Sequence, residues 1–154
     1  MATKWDPLVL KYQRQSQHEM AAIAALRRLL SETEQNRGKV MERQQNLRAQ
    51  LTSQNQCDIG EWRVLKAFLA DLDVLRNQCE GRIVECREEI RMALEAHAKT
   101  DALVQKYEHL QSQTVEKVRQ HRERLETDAL DEWAVQSHSR SVLARDLHNP
   151  IERH

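Results

Sequence analysis

The amino-acid sequence predicts an all-α fold: a long antiparallel two-helix coiled-coil hairpin with a C-terminal helical overhang. Three observations predict it. Helix breakers are confined: the two prolines are Pro7 and Pro150, and the three glycines are Gly38, Gly60 and Gly81. Proline is excluded from helix interiors, and glycine costs about 1 kcal/mol relative to alanine there. The composition is 31% charged and only 4% aromatic, with a mean hydropathy of -0.79, which suits a narrow apolar seam better than a round core. Finally, apolar residues recur every seven positions on both sides of one turn-like stretch, NQCDIG at 55–60.

The 154 residues are read as one hairpin domain: arm one at about 7–54, the turn at 55–60, arm two at about 61–145 and a polar tail at 146–154. Asp6 precedes Pro7 as the expected cap, and proline suits a first helical turn. Steps of seven from Val9 give Val9, Ser16, Ile23, Leu30, Arg37, Gln44 and Leu51. Steps from Tyr12 give Tyr12, Glu19, Leu26, Thr33, Val40 and Leu47. These form a heptad seam softened by polar interruptions. Arm two carries Trp62, Leu69, Arg76, Ile83, Ile90, His97, Val104, Gln111, Val118 and Leu125. Its companion series is Leu65, Leu72, Cys79, Cys86, Ala93, Thr100, Tyr107, Thr114 and His121. An uninterrupted period of seven predicts left-handed supercoiling.

Folding the arms back at the turn sets a register. Leu51 then meets Leu65, Leu47 meets Leu69, Leu30 meets Cys86, Leu26 meets Ile90 and Ile23 meets Ala93. The same register sets Glu19 against His97 and Ser16 against Thr100. Polar meets polar and apolar mostly meets apolar, as the cost of an unpaired charge in an apolar layer requires. His97 reads as a seam histidine satisfied by a neighbour rather than as a ligand. Arm one is exhausted near Val9, opposite Tyr107, so arm two overhangs; Val118 and Leu125 are the apolar residues of its thin seam. Just after the turn, Val64, Phe68 and Leu75 widen the apolar face beyond what two helices need, with Val74 beside them. This flank is either a docking site or a small local core closed by the tail of arm one.

Other classes are disfavoured. Lys plus Arg equals Asp plus Glu at 24 each, so no basic excess invites nucleic acid as the main partner. No stretch reaches the roughly 20 apolar residues of a membrane span, and the N-terminus lacks a secretory signal core, so a cytosolic protein without membrane insertion is expected. Cys79 and Cys86 lie two helical turns apart, too far for a disulfide, and read as small apolar core residues; Cys57 in the turn reads as exposed and free. No phosphate loop, nucleophile elbow, zinc spacing or cofactor motif is present. Basic Lys117, Arg119, Arg122 and Arg124 are interleaved with acidic neighbours and read first as an ion-paired helix face. The chain is expected to act by contact rather than as an enzyme.

Residues after the turn carry a resemblance. EWRVLKAFLADLDVLRNQC places Trp62 at the start of arm two, an aromatic, Phe68, six residues on, and Leu72 four beyond that. DEWAVQSHSR, from Asp131 to Arg140, adds an acidic residue, an aromatic and a basic finish. With its size and unequal arms, the chain resembles the FliJ/YscO/HrpO-type (SctO) central stalk proteins of flagellar and type III secretion ATPases. The resemblance implies a non-enzymatic stalk, similar to the gamma subunit of rotary ATP synthases, that threads a hexameric secretion ATPase and touches the membrane export-gate protein. Secretion chaperones or a stator protein are further implied partners, and the implied location is cytoplasmic, at the base of the secretion apparatus. Carried over by position, the gate surface falls on Trp62, Phe68, Leu72, Leu75 and Cys79. Leu75 and Cys79 depart from the flagellar pattern, which has a small residue and a histidine there. The ATPase-facing end falls on Leu8 and Tyr12 with Val118, Arg119, Arg122 and Leu125. The alternative is a coiled-coil scaffold or export chaperone without an ATPase partner.

Overall fold

The computed structural model describes residues 2–53 and 58–148. Two helices make up nearly all of it, α1 (Asp6–Ser53) and α2 (Ile59–His148), with no strand among the described residues. Residues 55–57 of the expected turn, Cys57 among them, and the tail beyond His148 with Pro150 lie outside the described residues. Among the described residues no helix is long and apolar enough to cross a membrane.

Three element boundaries differ from the sequence expectation. Asp6 is the first residue of α1 and not its cap; the first helical bond runs from the Val9 N–H to the Trp5 carbonyl, at 2.9 Å. The Asp6 carboxylate instead accepts the Thr3 N–H at 2.9 Å and the Thr3 hydroxyl at 2.5 Å, while the Asp6 N–H donates to the Thr3 carbonyl at 3.2 Å. Thr3 and Asp6 thus close a turn just ahead of α1 that is half of a capping box: the Asp6 carboxylate takes the Thr3 N–H, whereas the Thr3 hydroxyl accepts the Trp5 N–H at 3.3 Å rather than that of Asp6. At its other end, α2 starts at Ile59, because the Asp58 carbonyl takes the Trp62 N–H at 3.0 Å. Gly60 is therefore helical; no glycine among the described residues has a positive φ. And α2 continues to His148, three residues past the expected end at Arg145.

The chain divides into two compact units, Leu10–Val104 and a second built from residues up to Val9 with those from Gln105 onward. Within Leu10–Val104 the two helices pack antiparallel. Gln44 donates to Asp73 at 2.5 Å, Arg87 to Glu34 at 3.3 Å, and His97 Nδ1 lies 3.3 Å from Glu19 Oε2. The sequence separations of these pairs widen from 29 through 53 to 78, as only a hairpin allows. The expected meeting of Glu19 and His97 is observed. Thr100, expected opposite Ser16, bonds Glu19 and Gln15 instead.

Burial follows the two sevenfold series. Ile23, Leu47, Leu72, Ile83 and Cys86 are buried, and the polar seam members Thr33, Gln44 and Thr100 are buried with them. Each buried polar group is satisfied: Thr33 donates to the Leu29 carbonyl at 2.8 Å, Gln44 to Asp73, and Thr100 to Glu19 at 2.8 Å. Unpaired, each would cost about 1–3 kcal/mol. Cys86 is completely buried, and Cys79 half-buried; both are free thiols.

The unit from Gln105 onward is anchored by its N-terminal strap. The Trp5 ring lies 5.9 Å from that of Tyr107, its indole N–H donates to the Thr114 hydroxyl at 3.1 Å, and Gln111 donates to Asp6 at 2.7 Å.

A seam one residue wide makes stability sensitive to position. Ile83→Ala should cost about 2–4 kcal/mol, within the range for buried aliphatic truncations, because Ile83 is 2% exposed. Adjacent Val84→Ala, on the solvent side, should stay within about 0.5 kcal/mol. Urea unfolding followed by circular dichroism reads both; equal effects would contradict the seam.

Candidate functional site

The sequence-selected partner-binding residues separate by exposure. Leu72 is buried at 7% and Cys79 is half-buried, both spent on the seam. Phe68 and Leu75 are 42% and 47% exposed, and Trp62, Val64 and Val74 are exposed as well. The periodicity explains the split. Leu65, Leu69 and Leu72 take the seam positions facing α1, whereas Val64, Phe68 and Leu75 follow one step outside it on a common flank. A shallow hollow opens there, walled by Arg43 and Leu47 of α1 and by Val64, Leu65, Ala67, Phe68 and Asp71 of α2. The Arg43 guanidinium stands 5.8 Å from the Phe68 ring centre, and Lys66 Nζ stands 4.1 Å from that of Trp62. Both aromatics thus carry a cation on one face, as partly wet aromatics do. Of the two sequence readings, local core and docking site, exposure among the described residues favours an open face.

A second feature is the polar layer at Glu19. Its carboxylate accepts the Thr100 hydroxyl at 2.8 Å and the Gln15 amide at 3.1 Å, beside His97 Nδ1. Partial burial works to raise the Glu19 pKa, but the hydrogen bonds from Thr100, Gln15 and His97 outweigh it and hold the group below its usual value. His97 is satisfied by Glu19, and among the described residues no cluster of three His, Cys, Asp or Glu side chains is placed to hold a metal.

The expected ATPase-facing residues are divided between the two units. Leu8 belongs to the unit containing Gln105 onward, where it is half-buried; Tyr12, also half-buried, belongs to Leu10–Val104, with Lys11 Nζ 5.4 Å from its ring centre. Val118, Arg122 and Leu125 are exposed. Arg119 is held by Glu116 at 2.6 Å and Glu123 at 3.3 Å on its own helix. From Val115 to Leu147 every residue except Ser137 is exposed, among them Leu130, Trp133, Val135, Leu143 and Leu147. Sequence reasoning stopped the apolar series at Leu125, because Leu130, Trp133, Leu143 and Leu147 leave the strict heptad and Val135 returns to it only after His121 and Asp128 interrupt it. It also missed Trp5 and the Thr3–Asp6 turn, although the Thr-x-x-Asp spacing of TKWD was a usable signal.

The polar layer predicts a pH signature. A carboxylate with a lowered folded pKa stabilises above its unfolded pKa, and that contribution is lost as pH falls through the folded value. The stability gap between wild type and Glu19→Gln should therefore be largest near neutral pH and close below the ordinary glutamate pKa of 4.5. Urea midpoints at descending pH measure it; a constant gap would mean that the Glu19 charge contributes nothing.

In comparison with known proteins, no family model, no curated protein and no solved structure matches the chain.

Proposed function

We propose that the chain is a non-enzymatic central stalk of a bacterial type III secretion ATPase. In this reading α1 and α2 form a coiled-coil hairpin, and α2 continues past the paired region as an overhang that enters the hexameric ring. Binding the ring asymmetrically would promote its assembly and raise ATP turnover, while the flank near the turn engages the export gate. The protein would work in the cytoplasm, peripherally at the base of the secretion apparatus. The observation that carries the reading is the inequality of the helices. α2 has 90 residues against 48 in α1, and from Val115 to Leu147 it is exposed almost throughout. A long helix carrying apolar residues without cover is costly in isolation and is suited to insertion into a partner.

The exposed Phe68 and Leu75 support the gate contact, since aromatic anchors beside a polar rim are what hot spots consist of. Leu72 and Cys79 support it only indirectly, by holding α2 in register beneath them.

Two measurements test the proposal. Mixing the chain with the cognate secretion ATPase should increase both hexamer formation and turnover; unchanged oligomerisation and turnover would favour a coiled-coil scaffold or export chaperone without an ATPase partner. Phe68→Ala combined with Leu75→Ala should weaken binding to the cytoplasmic part of the export gate by about tenfold or more, with helix content preserved. A collapse in melting temperature would instead make the flank part of the core.

A further inference from the structure

Between Arg76 and Glu95 several charges of α2 are neutralised within the helix. Arg76 pairs with Glu80, Arg82 with Glu85, and Arg91 with both Glu88 and Glu95. Among the described residues from Arg124 to Glu132 no ion pair closes. Residues 117–124 (KVRQHRER) carry four basic side chains and one acidic, whereas 126–132 (ETDALDE) carry four acidic and none basic. Arg122 and Arg124 have acidic residues four positions on, Glu126 and Asp128, yet neither pair closes. The helix thus presents a basic block next to an acidic block, on a segment whose apolar side chains are exposed.

The apolar residues share a face. At 100° per residue, Val118, Leu125, Ala129 and Trp133 fall within about 80° of one another on the helix, and all four are exposed.

We propose that this segment pairs with the same segment of a second copy, antiparallel, about a two-fold axis at Leu125. The two blocks select that geometry. With Leu125 opposite Leu125, Arg122 and Glu126 lie on one flank of the helix and Arg124 and Asp128 on the other, so Arg122 comes beside the second copy's Glu126, Arg124 beside its Asp128, and Val118 packs by its Trp133. A parallel pair would set basic on basic and acidic on acidic. An antiparallel pair centred near Ala129 would set the acidic block 126–132 on itself. The segment supplies both halves of the complementarity, so no different partner is needed to satisfy it, and an isologous two-fold contact uses it once on each copy. The paired length, about 25 Å at 1.5 Å per residue, is short, so the dimer is weak and dependent on salt. This inference does not rest on the stalk reading.

Sedimentation equilibrium of the full chain tests it. At about 50 mM salt the chain should dimerise reversibly at tens to a few hundred micromolar, and about 500 mM salt should weaken this roughly tenfold. Arg122→Glu/Arg124→Glu should abolish the dimer, as should Glu126→Arg/Asp128→Arg, while an equimolar mixture of the two variants should restore it as a heterodimer. All four positions are exposed, and unchanged helix content checks that the fold survives. Phe68→Ala/Leu75→Ala should leave the dimer intact. A wild-type chain that stays monomeric throughout this range, a dimer indifferent to the charge reversals, or a mixture that stays monomeric would each overturn the proposal.

Discussion

Two paired helices share a single interior, a file of side chains one or two abreast, and the rest of this chain depends on keeping that file satisfied. A globular core buries a residue on all sides and tolerates some local loss. Here a residue such as Ile83 or Cys86 is buried only because one helix opposes it. Polar side chains therefore enter the file only with a partner, which for Thr33 is the Leu29 carbonyl of its own helix and for the others lies across the seam. Gln44 is 1% exposed and has Asp73; Thr100 has Glu19; Glu19 has Thr100, Gln15 and His97. These bonds add modest net stability. Their larger effect is on register, since sliding one helix by a single turn would strand Gln44 and Glu19 together among apolar groups.

That constraint explains what could be read from the sequence. Seam residues were legible because period seven is a property of the chain alone, and the meeting of Glu19 with His97 was legible because folding the arms back at the turn brings Glu19 to His97 and Ser16 to Thr100 together. The ends were less legible. Whether Asp6 caps a helix or begins one is decided by Thr3, three residues upstream, and by Gln111, far away in sequence, both of which hydrogen-bond its carboxylate. Gly60 looked like a turn residue because glycine commonly is one, yet the Asp58 carbonyl already begins the helix. Trp5, whose indole reaches Thr114, lies one step of seven before Tyr12, ahead of Pro7, where the helix was expected to start.

The candidate site was legible by residue type and not by exposure. Trp62, Phe68, Leu72, Leu75 and Cys79 all sit near the apolar side of α2, and a sequence motif treats them alike. A rotation of one position separates Leu72, which the seam consumes, from Phe68 and Leu75, which it leaves outside. This is why the same stretch can serve stability and recognition at once. Truncating a seam residue removes buried area that the fold requires, whereas truncating a flank residue removes area that only a partner could bury.

Charge follows a similar division of labour along α2. Where the helix is paired, Arg91 is held by Glu88 and Glu95 within three or four residues, so that surface projects little directional field. From Lys117 to Glu132 local neutralisation gives way to separated blocks. Separation costs the lone helix its intrahelical pairs, each worth a few tenths of a kcal/mol. It provides in exchange a sign pattern that another helix can recognise, and charge patterns of this kind govern orientation and choice of partner more than raw affinity. Opposite blocks placed symmetrically about Leu125 are self-complementary only in the antiparallel sense, so the pattern encodes a direction as well as an attraction.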